Sequence, residues 1–444
     1  MWLTGRRNYT KNKHISLLVC YEQNCGGESI TTEHILRQLK FLKKKGQLVI
    51  GQQPVKIKIK SFALNKLQNS DSLHFFSWHI KSIITWLWII FKTYLTNNSG
   101  KTNYRQRKIN SFFTLNKNRP YKTVVATSRK LYSTTFTAGF AAVLLKPFFK
   151  HRIYFHYHGN RVVERSSLKL STIHRITQIA KHKFTLVLHK IFLKHCQLII
   201  VPSQFSGQYL QKKFPFLKNK KIIIIPNGVN QNKFKAVSRA KQKLLKKIYK
   251  LPQKVKVLAY IGAINHRKNI NLLIKTYAEI LKLKPKQKIL LLIAHPKISI
   301  QDELKYFAKI KADARRLQLN KKILWISNCK KIEEIYQISD MVVVLSKYED
   351  FLLVTLEALA TGNLFLSSTQ GFPEKTLEKI NSQLFISSQE PKKIAKQILR
   401  VLNWPAAKKK NFIQKSKNLV KDYSWENTAR QLFIELMRID NTID

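Results

Sequence analysis

Acidic residues, cysteines and long apolar runs are scarce in this 444-residue sequence. Only 23 Asp and Glu stand against 82 Lys and Arg, which gives a formal net charge of +59. The four cysteines form no C-x-x-C pair, which argues against a disulfide-rich secreted scaffold and against a cysteine zinc site. No run of about 18 apolar residues occurs, so we expect no membrane-spanning helix. The basic, polar start at Met1–Lys13 lacks the apolar segment of a signal peptide.

The composition nevertheless predicts a folded chain, since 44% of the residues are hydrophobic and 11% are aromatic. The length suits two domains of about 200 residues each. Such a positive charge indicates an anionic partner, with nucleic acid, an anionic membrane and phosphorylated substrates as the candidate classes. The joint abundance of Lys, Ile, Asn and Phe also fits an AT-rich coding bias, as in an organellar genome, so part of the charge need not be functional.

Short apolar segments alternate with helical ones along the whole chain, which predicts an α/β protein. In the first half we predict strands at His14–Cys20, Val55–Ile59, Thr123–Ala126, Arg152–Tyr157, Leu198–Val201 and Ile222–Ile225, and a helix at Leu131–Leu145. In the second half we predict strands at Val257–Ile261, Ile289–Ile293, Ile323–Ile326, Met341–Leu345, Leu364–Ser367 and Leu384–Ile386, and closing helices at Lys392–Leu402 and Trp425–Met437.

The alternation is interrupted once, by the lysine-rich segment Lys233–Gln253, which reads as a linker with a short helix. We therefore divide the chain into residues 1–230, residues 231–422 and a closing helical segment, residues 423–444. Each of the first two parts has the pattern of a doubly wound domain. Two such domains would face a central cleft, with ligands at the carboxyl ends of the strands.

The most informative segment contains two glutamates, Glu349 and Glu357, separated by seven residues. Glu349 falls in the loop after a predicted strand, and Glu357 falls within a predicted helix, Leu352–Ala360. The amides of Leu353 and Val354 could face a phosphate at that helix N-terminus. The two carboxylates could then bind sugar and ribose hydroxyls. Spacing alone leaves a second interpretation open, a helix with one capping and one solvated acid.

This segment resembles the E-x7-E motif of the family 4 glycosyltransferases. Further segments resemble that family in the same chain order, over about residues 14–438: Gly26-Gly27, His158-Gly159, Val201-Pro-Ser203, Ile225-Pro-Asn-Gly-Val229, Tyr260-Ile-Gly262, Arg267-Lys-Asn269, Ile338–Ser346, Gly371-Phe-Pro-Glu374 and Tyr423-Ser-Trp-Glu426.

The resemblance implies the GT-B fold, two Rossmann-like domains around a cleft, and a retaining transfer of sugar from a nucleotide diphosphate sugar. It implies that the N-terminal domain binds the acceptor, that the C-terminal domain binds the donor, and that the last helix packs back on the N-terminal domain. The implied catalytic residues are His158 and Glu349. The implied donor-binding residues are Gly26, Gly27, Arg267, Lys268, Leu353, Val354 and Glu357. The cations would neutralise the leaving diphosphate, and we expect no cofactor and no metal ion.

Several positions depart from the family pattern, including the following three. Ala263 stands where the family often has Arg, Asp350 where a Gly is common, and Gln370 where one glycine of a pair is usual. Arg267 is the candidate to replace the missing arginine. These departures leave open a divergent active enzyme and a relative that has lost catalysis.

Two N-terminal segments bear on the acceptor. Phe75–Leu95 is aromatic and fits either a core helix or a segment at a bilayer surface. The basic run Lys101–Arg119 fits either a solvated loop or a site for anionic headgroups. We expect a peripheral membrane enzyme of glycolipid synthesis, cytoplasmic or in an organellar stroma, with a lipid-linked acceptor. A soluble polysaccharide acceptor is the alternative within this class.

Two other classes of function remain as hypotheses. The first is a nucleic-acid-binding protein that uses the +59 charge. Nucleic acid is the less favoured partner because no RRM, KH or helix-turn-helix signature occurs. The second is a non-catalytic relative that binds a donor or a partner protein without turnover.

Overall fold

Helices and strands alternate in the computed structural model of the protein. The structure describes residues 15–23, 27–44, 49–50, 53–54, 57–65, 87, 130–133, 136–145, 152–158, 172–298, 301–368, 370–371, 377–378 and 380–438. Within these residues the two larger sheets are entirely parallel, which confirms the predicted α/β class.

The N-terminal sheet has six described strands in the order β2-β1-β3-β4-β5-β6. Their bounds are β1 Ile15–Gln23, β2 Ile57–Asn65, β3 Lys130–Ser133, β4 Arg152–His156, β5 Cys196–Val201 and β6 Ile222–Ile224. The helices of this half are α1 Gly27–Lys44, α2 Phe136–Leu145, α3 Thr172–His195 and α4 Gln204–Lys213. Strands β4 and β5 are almost wholly buried, as expected for central strands covered on both faces.

The C-terminal sheet has five described strands in the order β9-β8-β7-β10-β11. Their bounds are β7 Lys256–Ile261, β8 Ile289–His295, β9 Ile323–Ser327, β10 Met341–Val344 and β11 Leu364–Ser367. The helices that follow in chain order are α5 Arg239–Ile248, α6 Ile270–Leu283, α7 Gln301–Arg316, α8 Ile332–Ile338, α9 Leu353–Ala360, α10 Pro391–Leu402 and α11 Ala406–Lys421. A two-residue strand Tyr348–Glu349 also pairs with Gln370–Gly371 beside this sheet.

The last helix, α12 Trp425–Arg438, packs against the N-terminal half of the molecule. Trp425 and Phe433 are buried in one cluster with residues of α1, β4 and β5. The Trp425 ring stacks on the His34 ring with centroids 4.8 Å apart. The chain therefore crosses between the domains twice, once after β6 and once before α12.

The two crossings lie side by side and are hydrogen-bonded. The Val229 amide donates to the Tyr423 carbonyl at 2.9 Å, and Thr428 Oγ1 donates to the Pro226 carbonyl at 2.8 Å. Gly228 sits at their closest approach, because a Cβ there would lie 2.3 Å from the Trp425 amide nitrogen. Only glycine fits this position without moving the start of α12.

Two secondary-structure predictions are wrong, and one helix was not predicted. The predicted helix Leu131–Leu145 begins as strand β3, because Lys130–Ser133 is hydrogen-bonded between β1 and β4 and the helix starts only at Phe136. The predicted strand Leu384–Ile386 is a 3-10 turn, Ser382–Leu384, followed by a single bridge from Phe385 to Ser367. Helix α11 lies in a lysine-rich stretch for which we predicted no element.

Several predicted features lie outside the described residues. These are Met1–Lys13, the strand Thr123–Ala126, the run Lys101–Arg119, and the segment Phe75–Leu95 except for Leu87. Leu87 packs, partly buried, against a cluster of β4, β5, α2 and α3 residues. No helix in the described part of the chain combines the length and the apolar character needed to cross a membrane.

Candidate active site

The candidate site lies at the carboxyl ends of two neighbouring strands of the C-terminal sheet. A 3-10 turn, His266–Lys268, follows β7, and the loop with Glu349 follows β10. Because β7 and β10 pair in parallel, both loops emerge at the same edge of the sheet. The sequence order of the two segments gives no hint of this, since 81 positions separate Lys268 from Glu349.

Glu349 is held between two cations. Its Oε2 accepts a hydrogen bond from Arg267 Nη1 at 2.5 Å, and its Oε1 accepts one from Lys268 Nζ. The side chain of Glu349 is 7% exposed, that of Lys268 12% and that of Arg267 22%. The three predicted residues therefore form a single ionic cluster with a net positive charge, in which Glu349 is buried and both cations are partly exposed.

The cluster keeps Glu349 ionised. Burial works to raise its pKa, but the charges of Lys268 and Arg267 outweigh burial and, with the hydrogen bond from Lys268, lower the pKa below its usual value. The turn that carries the cations is fixed as well, because Asn265 caps it by accepting a hydrogen bond from the Lys268 amide at 3.1 Å. The site thus presents preorganised positive charge with one carboxylate.

Helix α9 begins directly beyond this cluster. Leu352 precedes it without a side-chain cap from any described residue, so the first-turn amides of Leu353 and Val354 are not capped by a side chain. The side chain of Leu353 itself packs against the buried cluster of the N-terminal domain. The start of α9 therefore lies where the two domains meet.

Glu357 lies one turn further along α9 in different surroundings. Tyr336 Oη donates a hydrogen bond to its Oε2 at 2.5 Å. Burial raises the pKa of Glu357, while the hydrogen bond from Tyr336 and the charge of Lys233 act in the opposite direction. Sequence reasoning missed Tyr336, because its contact with α9 depends on how α8 packs.

On the N-terminal side, His158 follows β4 and its ring contacts that of His156 at a tilt of 34°, with ring centroids 4.0 Å apart. Burial lowers the pKa of His158 to about 3, and burial together with His158 lowers that of His156 well below its usual value. The Nε2 atom of His158 is buried and has no hydrogen-bond partner among the described residues. The pair is therefore neutral at physiological pH and offers hydrogen-bonding capacity without charge.

The remaining predicted residues are only partly described. Gly26 lies outside the described residues, and Gly27 is the first residue of α1. Of the segment Gly371–Glu374, only Gly371 is described. Within the described ranges, no three His, Cys, Asp or Glu side chains lie together as a bound metal ion would need.

The loops at the carboxyl ends of both sheets meet, since Ser203 after β5 is hydrogen-bonded to Asp350 after β10. Two parallel α/β domains that meet in this way, with a cationic cluster at one sheet edge, define the GT-B class of proteins. Residues 241–419 match the family model for group 1 glycosyl transferases, and residues 131–233 match that for Glycosyltransferase Family 4. These two matches, over residues 131–233 and 241–419, support a family 4, or group 1, glycosyltransferase.

Curated relatives agree with this family. The chain is 30% identical over 245 residues to a lipopolysaccharide 1,2-N-acetylglucosaminetransferase of Salmonella typhimurium, covering 54% of this chain and 61% of that protein. It is 25% identical over 221 residues to a D-inositol 3-phosphate glycosyltransferase of Corynebacterium urealyticum, covering 49% and 51%. The chain thus spans half to three-fifths of the length of these relatives.

Solved structures show the same fold over nearly the whole chain. Sucrose-phosphate synthase from Thermosynechococcus elongatus superposes with a TM-score of 0.69 at 16% identity, covering 96% of this chain and 99% of that one. Anabaena HepE in complex with UDP and glucose superposes with a TM-score of 0.62 at 14% identity, covering 95% and 99%.

Proposed function

We propose that the protein transfers a sugar from a nucleoside diphosphate sugar to an acceptor hydroxyl, with retention at the anomeric carbon. One observation carries this proposal, the ionic cluster of Glu349 with Arg267 and Lys268 beside the first turn of α9. A departing nucleoside diphosphate gains negative charge as the glycosidic bond breaks. Preorganised cations in a site of low polarity stabilise such charge.

The roles follow from this geometry and from the family resemblance. Lys268 and Arg267 bind the diphosphate, and the amides of Leu353 and Val354 bind a phosphate oxygen. Glu349 remains ionised and accepts hydrogen bonds from hydroxyls of the transferred sugar. Because Glu349 holds both cations when no donor is bound, it also presets where they point.

Two further residues complete the proposed site. Glu357 binds the ribose hydroxyls, in which case it exchanges or shares its hydrogen bond with Tyr336. His158 holds a sugar hydroxyl as a neutral hydrogen-bonding group, consistent with its low pKa. Retention and the roles of Gly26 and Gly27 near the diphosphate rest on the family resemblance.

A uridine nucleotide is the first donor base to test. The Anabaena HepE neighbour is described with UDP-glucose. A panel of UDP-, GDP- and ADP-sugars tests this choice.

We further propose that the acceptor is lipid-linked and that α3 contacts an anionic membrane. Phe184, Val187 and Ile191 of α3 are 49%, 53% and 39% exposed, although they are large and apolar. Lys183, Lys190 and Lys194 are exposed on the same helix. At 100° per residue, these six side chains fall within an arc of about 120°.

The arrangement suits a membrane interface. The lysines form one edge of the exposed face and the apolar residues form the other. The methylene chains of the lysines can therefore lie along the lipid while their amines reach the headgroups. Each basic residue near an anionic surface contributes about 1 kcal/mol. The name of the Salmonella relative, a lipopolysaccharide-modifying enzyme, is consistent with a lipid-linked acceptor.

Donor turnover tests the catalytic proposal. The full-length protein is incubated with each nucleotide sugar, with and without anionic vesicles, and nucleoside diphosphate release and sugar transfer are measured. We expect one donor to be consumed, and Lys268→Met to reduce kcat at least 100-fold. Lys282→Met is the matched control, because Lys282 forms an exposed ion pair with Glu279 on α6. Equal activity of the two variants would refute the assignment.

Vesicle co-sedimentation tests the membrane proposal separately. The double variant Val187→Ser, Ile191→Ser should bind anionic vesicles about tenfold more weakly than the wild type. Leu244→Ser on α5 is the matched control, because Leu244 is 58% exposed beside lysines of the C-terminal domain. Equal binding of the double variant and the wild type would exclude α3 as the contact surface.

A further inference from the structure

The two domains are hydrogen-bonded to each other one residue beyond Glu349. Ser203 Oγ donates to the backbone carbonyl of Asp350 at 2.6 Å, and Ser206 Oγ donates to Asp350 Oδ1 at 3.0 Å. The serines belong to the start of α4 in the N-terminal domain, whereas Asp350 lies in the loop between β10 and α9. We call these two hydrogen bonds the serine–aspartate link.

The serine half of the link is rigid and buried. Ser206 is fully buried and Ser203 is 7% exposed. Ser203 caps α4 by accepting a hydrogen bond from the Ser206 amide at 3.2 Å, and the two hydroxyl oxygens lie 2.9 Å apart. A buried hydroxyl that loses its acceptor carries a desolvation cost, so opening the link is unfavourable.

The aspartate half is connected to the candidate active site. The Lys347 amide donates to the Arg267 carbonyl at 2.9 Å, and Arg267 Nη1 also contacts the Tyr348 carbonyl at 3.3 Å. Tyr348 and Glu349 pair with Gln370 and Gly371. This loop is therefore short and pinned on the C-terminal side. Asp350 and Glu349 are consecutive residues whose Cα atoms lie about 3.8 Å apart, so a displacement of Asp350 also displaces Glu349.

We propose that Asp350 is a positioning residue that couples domain closure to the placement of Glu349. Ser203 and Ser206 reach Asp350 when the domains meet, and the link then fixes the loop that carries the carboxylate. The family resemblance expects glycine at position 350, which would leave Ser206 Oγ only its longer, 3.4 Å contact with the backbone carbonyl of that residue. This inference rests on the proposed function for its catalytic consequence, but the link itself does not depend on it.

Domain separation is the first measurement. Small-angle X-ray scattering and spin-label distances are recorded for the full-length wild type, Ser206→Ala, Asp350→Gly and Asp350→Asn, without ligand and with UDP. We expect Ser206→Ala and Asp350→Gly to shift the distribution to longer interdomain distances. Asp350→Asn should resemble the wild type, because its amide oxygen still accepts from Ser206.

Kinetics form the second measurement. We expect Ser206→Ala and Asp350→Gly to lower kcat about tenfold, the upper end of the effect of losing one hydrogen bond. The Kd for UDP should change less than kcat does, since most of the proposed diphosphate contacts, those of Arg267, Lys268 and the start of α9, lie in the C-terminal domain. Ser238→Ala is the matched control. Ser238 caps α5 by accepting from the Lys241 amide, with both residues in the C-terminal half.

The outcomes are distinguishable. Wild-type distances and wild-type kcat in both Ser206→Ala and Asp350→Gly would overturn the proposal. A loss of UDP affinity as large as the loss of kcat would also overturn it, because the residues would then act locally on the C-terminal domain. If the wild type turns over no donor, the proposed function fails, while the distance measurement still decides whether the link holds the domains together.

Discussion

The two domains bury ionisable candidate residues with opposite results. On the N-terminal side, burial lowers the pKa of His158, and burial together with His158 lowers the pKa of His156, so both remain neutral. On the C-terminal side, Glu349 is equally buried, yet Lys268 and Arg267 keep it charged. Burial therefore does not set the charge of a site by itself, and a partner of opposite charge decides it. The difference locates the electrostatic part of the proposed chemistry in the C-terminal domain.

The largest effect on this difference is expected from removing the charge of Glu349. Glu349→Gln leaves Arg267 and Lys268 without their shared carboxylate and removes the proposed ligand of the sugar hydroxyls. We expect kcat to fall at least 100-fold. Initial rates with the preferred donor measure the effect, and thermal unfolding shows that the variant is folded. Glu279→Gln in the exposed pair with Lys282 should keep wild-type rates. A Glu349→Gln variant as active as this control would contradict the assignment.

A second change tests what holds the two sides opposite each other. Gly228→Ala places a Cβ where the Trp425 amide nitrogen would lie 2.3 Å away, so the start of α12 must shift. We expect the free energy of unfolding to fall by about 2–3 kcal/mol, measured by urea denaturation. Gly207→Ala is the control. Gly207 lies within helix α4, where alanine is favoured, and its Cβ would make an ordinary 3.6 Å contact with Val201 of β5. Equal destabilisation by both changes would argue against a close approach at Gly228.

The pH dependence of stability tests whether His158 is held neutral in the folded protein. The pKa of His158 is about 3 when folded, below its value of 6.5 when unfolded, so the unfolded chain binds the proton first. Stability should therefore fall as pH drops below 6.5, by up to about 1.4 kcal/mol per pH unit for each such histidine. Urea denaturation at pH 7 and pH 5 measures this slope. His158→Asn should show a smaller loss than the wild type, and an unchanged slope would mean that the histidine is not held neutral.

The smallest expected effect concerns the second glutamate of the motif. Burial raises the pKa of Glu357 despite Tyr336 and Lys233, so its contribution to stability is greatest at low pH and declines as pH rises through the folded pKa. Glu357→Gln keeps an acceptor for Tyr336 without the charge. We expect the Tm to rise by a few degrees at pH 7 and not at pH 4, while the KM for the donor rises several-fold. Thermal scans at both pH values check this, and an equal shift at both would contradict it.

Local patterns in the sequence were enough to place most of the fold. The buried apolar runs that became β7, β8, β10 and β11 predict strands because both faces of a parallel sheet are covered. Helix α11 was missed although Phe412, Ser416 and Val420 recur every four residues, because a buried serine and many lysines obscure its apolar face. Strand β3 was misassigned because pairing with β1 and β4, not local propensity, determines it.

The candidate site, like the fold, could be predicted only where local sequence patterns determine it. The motif identified Glu349, Arg267 and Lys268, and the adjacency of β7 and β10 brings them into one cluster. The contacts of Tyr336 and Ser206 depend on how α8 and α4 pack, and Ser206 lies 144 positions from Asp350. No spacing rule within one sequence reports such contacts.

The paired crossings between the domains have a mechanical consequence. A single connecting strand would let one domain swivel freely about it. Here two segments run side by side and are joined by the Val229–Tyr423 and Thr428–Pro226 hydrogen bonds. Two connections side by side permit one main hinge motion, a rotation of the domains about the line that joins the connections. They resist twisting of one domain relative to the other. Ser206 and Asp350 would then return to the same relative position each time the domains come together.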